Sequence, residues 1–110
     1  MHRPWGRFTT LGEGDGFKVK FIHVNPRSKI SLQSHEHRDE HWVVVKGLAK
    51  ITIGEEVNTY GPNEGVIIPV HTKHRLENPG DSELTVVEVA NGGYIEEDDI
   101  KRYDDVYHRD

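Results

Sequence analysis

The sequence predicts an all-β protein, an antiparallel sandwich or barrel. Short strand-like runs recur at close intervals along the chain. Eleven glycines and five prolines fall largely between those runs, where turns are needed. Several runs also alternate apolar and polar residues, the period of a strand with one buried face.

Phe17-Lys18-Val19-Lys20-Phe21 alternates apolar and charged residues, and Asn25-Pro26 ends that run. Residues 30–35 read as the next strand. The β-branched run His41-Trp42-Val43-Val44-Val45-Lys46 closes at Gly47. Residues 49–53 follow, and Gly54-Glu55-Glu56 turns the chain into Val57-Asn58-Thr59-Tyr60. Gly61-Pro62-Asn63 breaks again, Val66-Ile67-Ile68 leads to Pro69, residues 74–78 end at Pro79-Gly80, and residues 84–89 form the last clear strand. In the acidic tail, Ile95, Asp99, Arg102 and Val106 fall at helical intervals, which predicts a short terminal helix, a hook or a solvated tail.

The 110 residues suit one domain, 1–110, with one modest core. A formal net charge of −5 argues against nucleic-acid binding, which needs a basic face, but leaves room for a small anion held by local Arg or Lys. Without cysteine there are no disulfides, thiolate metal sites or thiol nucleophiles. No apolar run reaches membrane-span length, and the N-terminus has no signal-peptide core. A soluble, cytoplasmic protein is the expectation.

The chemistry is concentrated in Gln33-Ser34-His35-Glu36-His37-Arg38-Asp39-Glu40 and, downstream, His74. Residues two apart on a strand share a face, so Gln33, His35 and His37 share one if that strand continues. Glu40 begins the returning strand, and His74 comes from a neighbouring one. Nitrogen and oxygen donors from several strands suit Zn²⁺, Mn²⁺, Fe²⁺, Co²⁺ or Ni²⁺. On residue types alone the alternatives stay open. His37 can replace Gln33 as a ligand, Gln33 can be a hydrogen bonder beside the ion, or the polar residues can rim a metal-free barrel.

Spacing favours one register. Six residues separate Gly47 from Glu40, four separate Glu40 from His35, and one separates His35 from Gln33. Pro69, His74 and Asn78 follow a second fixed spacing. Together these resemble the two motifs of the cupin superfamily, with Gln33 in the first His slot and Arg27 and His71 where the motifs carry Gly. The strings Arg3-Pro4-Trp5-Gly6, Ser31-Leu32-Gln33, residues 37–45, 74–80 and 96–100 are similar to the cupin domain of type II phosphomannose isomerases. That domain forms the C-terminal part of a bifunctional enzyme with mannose-1-phosphate guanylyltransferase. No Gly-rich nucleotide-binding loop is seen here, so the resemblance is to the isomerase module alone.

The resemblance implies a double-stranded β-helix, or jelly-roll barrel. It implies one divalent metal ion per subunit, zinc first and Mn, Co, Ni or Fe as alternatives, bound by Gln33, His35, Glu40 and His74. It also implies interconversion of mannose 6-phosphate and fructose 6-phosphate on the way to GDP-mannose and polysaccharide. Another metal-dependent cupin enzyme, such as a dioxygenase or a different sugar-phosphate isomerase, and a non-catalytic sugar-phosphate binder are the competing readings. Isomerisation needs a base, for which His37 is the candidate, with Arg38 beside it. The hexose 6-phosphate needs cations at its phosphate, and Arg38, Arg75, Lys73 and Arg3 are the candidates. Trp42 is expected to line the interior. Trp5 is expected to pack on a partner subunit in a homodimer, which would also cover sheet edges.

Overall fold

A computed structural model describes residues 2–96 and 98–104 as eleven strands: β1 His2–Arg3, β2 Gly6–Gly14, β3 Phe17–Val24, β4 Leu32–Ser34, β5 Arg38–Lys46, β6 Ala49–Ile53, β7 Glu56–Tyr60, β8 Gly65–Ile68, β9 His74–Glu77, β10 Leu84–Gly92 and β11 Lys101–Asp104. They form two antiparallel sheets, one in the order β1-β2-β3-β10-β5-β8 and one in the order β11-β4-β9-β6-β7. No helix among the described residues is long and apolar enough to cross a membrane.

Alternation along each strand sends one set of side chains between the sheets. In β5 the inward set is Arg38, Glu40, Trp42 and Val44. In β10 it is Leu84, Val86, Glu88 and Ala90. From the opposite sheet Ala49 and Ile51 of β6 and Leu76 of β9 meet them, and together these close a core centred on Trp42, which is 1% exposed. This confirms Trp42 as an interior residue. In β3, however, the charged residue faces in: Lys20 is buried together with Ile22 and Val24, while Val19 and Phe21 lie on the outer, half-buried face. Hydropathy alone gives the opposite orientation. Lys20 is turned inward because strand register leaves it no other side.

Three parts of the sequence reading change. Trp5 is 6% exposed and packs into this chain's own core, so it gives no support to a subunit contact. The tail forms no helix among the described residues: β11 pairs with β4, Arg102 opposite Gln33, and the tail is a hook closing the sheet edge. Val106 lies outside the described residues. Strand β2 went unseen because three glycines and a register shift between Thr10 and Gly12 erase its alternation, and most of it is exposed.

The motif's glycine slots keep their backbone geometry without glycine. Gly47, after β5, has φ 96°, and Arg27 and His71 take φ 56° and 67°. The left-handed region costs a side chain roughly 1–2 kcal/mol. Tertiary contacts hold both residues there. Arg27 donates its backbone N–H to the Gly80 carbonyl at 3.2 Å, and its guanidinium pairs with Asp81. His71 donates its backbone N–H to the His35 carbonyl at 2.8 Å, tying the second motif to the first.

Candidate metal centre

At one end of the sandwich, β4, β5 and β9 bring His35, Glu40 and His74 together. One donor atom from each lies within 4.8 Å of the others, and all three residues are buried. His35 Nε2 is 3.2 Å from Glu40 Oε2, and His74 Nε2 is 3.5 Å from Glu40 Oε1. The rings are aimed from behind. His35 Nδ1 donates to the Asp99 carbonyl, and His74 Nδ1 donates to the Thr72 carbonyl at 2.9 Å. A proton on each Nδ1 leaves the Nε2 lone pairs facing the carboxylate, the arrangement that orients imidazoles toward a metal.

Burial keeps both rings neutral. His35 is lowered to about 4, first by desolvation and then by the Arg38 guanidinium. His74 is lowered as well, again chiefly by burial. Neutral imidazole is the form that ligates a metal. His74 Nε2 is also a buried polar atom with no hydrogen-bond partner. A buried, unpaired lone pair is costly, and a cation is the partner this one is built for. Two imidazoles and a carboxylate therefore fit a divalent ion by donor chemistry and by orientation.

Gln33 stands opposite His74 in the β4–β9 register and lines the adjoining cavity. Its amide nitrogen donates to the Ser31 carbonyl and hydroxyl, at 3.3 Å each, which leaves the amide oxygen as the end available to a cation. Arg38 is buried within the group. Its Nη2 lies 3.2 Å from His35 Nε2 and its Nε 3.0 Å from Glu40 Oε2, so it supplies positive charge to a carboxylate that burial otherwise pushes toward its neutral form.

The other predicted residues are not brought here. His37 is exposed, and its ring meets Tyr94 edge-on at 5.9 Å. The alternation that would carry it inward stops at Ser34, because the chain turns over residues 36–37. Both carboxylate oxygens of Asp99 pin that turn by accepting the Glu36 and His37 backbone N–H groups at 3.0 and 3.1 Å. Arg75 alternates away from His74 and donates Nε to the Ile30 carbonyl at 3.1 Å. Lys73 is exposed, with its ammonium over the Tyr103 ring at 4.4 Å. The structure thus places His37, Arg75 and Lys73 away from the metal group, each for reasons of local chain direction.

A family model described as "Mannose-6-phosphate isomerase C-terminal" matches residues 1–105 of the sequence. The chain belongs to that family. It is 47% identical over 109 residues to mannose-1-phosphate guanylyltransferase ManC of Salmonella typhimurium, covering 99% of this chain and 23% of the relative. It is 46% identical to alginate biosynthesis protein AlgA of Pseudomonas putida, again over 99% of this chain, and 22% of that protein. The chain thus spans less than a quarter of these relatives. Among solved structures, a cupin 2 domain-containing protein from Halorhodospira halophila matches with a TM-score of 0.77 at 24% identity, over 89% of this chain and 69% of that one. A cupin-superfamily sugar phosphate isomerase from Silicibacter pomeroyi matches with a TM-score of 0.66 at 23% identity, over 76% of this chain and 59% of that one. These likenesses establish the double-stranded β-helix fold.

In this mannose-6-phosphate isomerase C-terminal domain, the metal group adjoins a cavity lined by Glu40, Gln33 and Arg38 among others. Sequence reasoning missed three of its polar walls: Lys20, Glu88 and Arg102. Glu88 accepts the Trp42 indole N–H at 3.1 Å and pairs with Lys20 at 3.5 Å. Desolvation, helped by the neighbouring Glu40 charge, pushes its carboxyl up to about 7. A single glutamate inside the apolar run Leu84-Thr85-Val86-Val87-Glu88-Val89 was the available signal.

These shifts set the acid–base behaviour of the metal-free protein. Between pH 6.5 and about 4 the folded state binds fewer protons at His35 than the unfolded chain, so stability falls as pH falls through that window. Between 4.5 and about 7 the folded state binds more at Glu88, so stability falls as pH rises. Each contribution is about 3 kcal/mol. Where the windows overlap, the two oppose. Glu88→Gln abolishes the second contribution, and its stability relative to wild type is expected to grow from pH 5 to pH 8. Urea unfolding in the presence of chelator at both values checks the sign.

Asp99 links the tail to the metal group. Asp99→Ala removes both acceptors that hold the 36–37 turn. It is expected to cost about 1–2 kcal/mol, since water can reach this turn. It is also expected to weaken divalent-metal affinity about tenfold by loosening the orientation of His35. Calorimetric metal titration alongside thermal unfolding separates the two effects.

Proposed function

We propose that this chain interconverts mannose 6-phosphate and fructose 6-phosphate as a metal-dependent aldose–ketose isomerase. The observation that carries the reading is the convergence of one donor atom each from His35, Glu40 and His74, with Glu40 also lining an adjoining cavity whose wall includes Arg38, Gln33 and Glu88. The family to which the chain belongs supports it. The guanylyltransferase activity for which these relatives are named is not carried over, because the chain matches less than a quarter of their length.

A divalent ion held by His35, Glu40, His74 and Gln33, zinc first, would supply Lewis acidity toward the sugar carbonyl. Arg38, 3.0 Å from Glu40, would offer a fixed guanidinium to negative charge developing on the C1 and C2 oxygens. The base is Glu88 in place of His37. It lines the cavity, and near neutrality it is balanced between its two protonation states. Glu88 takes the proton from C2 of the aldose, giving the cis-enediolate. The proton of the C2 hydroxyl passes to the C1 oxygen, and Glu88 returns the carbon proton to C1, which leaves the C2 carbonyl of the ketose. Trp42 and Lys20 hold the Glu88 carboxyl from two sides, so it moves a proton without moving itself.

The test is a coupled assay with mannose 6-phosphate on metal-stripped protein, repeated with single metals restored. Fructose 6-phosphate is expected only with a divalent ion. No product with any metal would remove the assignment, and binding without turnover would make the chain a sugar-phosphate binder.

A further inference from the structure

The outer face of the six-stranded sheet is apolar, where a face left to water is ordinarily polar. In one row across the strands, Phe21, Val87 and Val43 are consecutive register partners. In the next row Val19 pairs with Val89, Val89 with His41, and His41 with Ile67. These side chains have the opposite parity to Trp42 and Val86, so they point away from the core. Neither row holds a Lys, Arg, Asp or Glu, in a chain with 30% charged residues. Val43, Val45 and Ile67 are 36%, 49% and 65% exposed, so no described segment lies over that side.

The surround is polar. Beyond Phe21 the next row sets His23 beside Thr85, with the Arg7–Glu83 ion pair at its margin. Beyond Val19 the face turns polar at Asn91 and Asp39. An apolar centre inside a polar rim is the anatomy of a protein–protein interface. Strands β2, β3, β10 and β5, about 4.8 Å apart and about 30 Å long, with the shorter β8 beside them, give a face of roughly 650 Å². A stable dimer needs roughly 600–1,000 Å² from each copy.

Charge selects the occupant. Apolar rows without ionised groups offer nothing to nucleic acid, to an anionic membrane or to a strongly charged protein. They do let two copies, each carrying a formal −5, meet without desolvating an unpaired ion. In the order β2-β3-β10-β5-β8, β10 runs down the middle of the face. Two such faces pack with their strands within about 30° of each other. A two-fold axis near Val87 and Val89 sets the apolar rows of one copy on those of the other, with both rims outside.

We propose that this chain forms a homodimer through the outer face of the six-stranded sheet, with β10 of each copy at the two-fold axis. The contact expected from the sequence lay at Trp5, which the fold buries, whereas this face is left open. Glu40 and Glu88 point to the inner side of the same strands, so the contact covers neither cavity. It is independent of the activity proposed above.

Sedimentation velocity of the whole chain from about 1 to 100 μM, the range in which modest dimers dissociate, is expected to show a dimer at the upper end. Val43→Glu and Ile67→Glu each put a carboxylate into the apolar rows, and two-fold symmetry doubles it. Each is expected to weaken association more than about a hundredfold. Both side chains already face water in the monomer, so circular dichroism and thermal unfolding are expected to match wild type. Val43→Thr keeps the β-branched shape and serves if Val43→Glu fails to fold, with association weakened about tenfold. Val57→Glu, at an exposed position of β7 on the edge of the other sheet, is expected to leave the dimer intact. A chain that stays monomeric at every concentration, or a dimer that survives both Val43→Glu and Ile67→Glu, overturns the proposal. Loss of the dimer in Val57→Glu alone would move the contact to the other sheet and overturn it as well.

Discussion

His74→Ala protein is expected to fold and to lose its divalent metal, with affinity reduced more than about a hundredfold and isomerase activity falling with it. His74 is 1% exposed, and its Nδ1 is held by the Thr72 carbonyl, so this ring's lone pair is fixed toward the group and is lost with the side chain. The variant leaves Glu40 beside His35 and Arg38, an ion pair that keeps the group compensated without metal. His35→Ala is expected to behave alike. Metal content by elemental analysis, with circular dichroism to establish folding, is the measurement. Stoichiometric metal in both variants would end the ligand assignment.

Glu88→Gln is expected to keep its metal and lose turnover by a factor of about 10²–10⁴, the contribution of a placed acid–base group. The glutamine oxygen can still accept the Trp42 indole N–H, so the wall keeps its shape while losing the ability to carry the proton. His37→Ala is the paired experiment: that ring lies outside the cavity against Tyr94, and turnover is expected to be unchanged. The opposite pattern, with Glu88→Gln active and His37→Ala inactive, would return the base to His37 and require the 36–37 turn to rearrange.

The legible parts of the site were those whose spacing reflects strand and turn geometry. Glu40 lies near the start of β5 and Gly47 just past its end, and His35 and His74 sit at the ends of β4 and β9, so the distances along the chain carried the geometry. Even the odd residues in the glycine slots told the truth about the backbone, since Arg27 and His71 both take positive φ. Illegible were the residues whose role depends on a distant contact. His37 reads as a ligand or base until Asp99 is seen to pin its backbone. Arg102 reads as part of a helical period until β11 pairs with β4.

From the sequence alone came the all-β class, the strands β3 to β10 in order, and the histidines and carboxylate fit to hold a metal. Period-two alternation and fixed motif spacings are local properties, and a linear chain records them directly. Tertiary structure alone decided which charged groups share the cavity. A strand's two faces are chemically open until a neighbour covers one of them. Packing against the second sheet turned Lys20, Glu88 and Arg102 inward and left Lys73 and Arg75 outside.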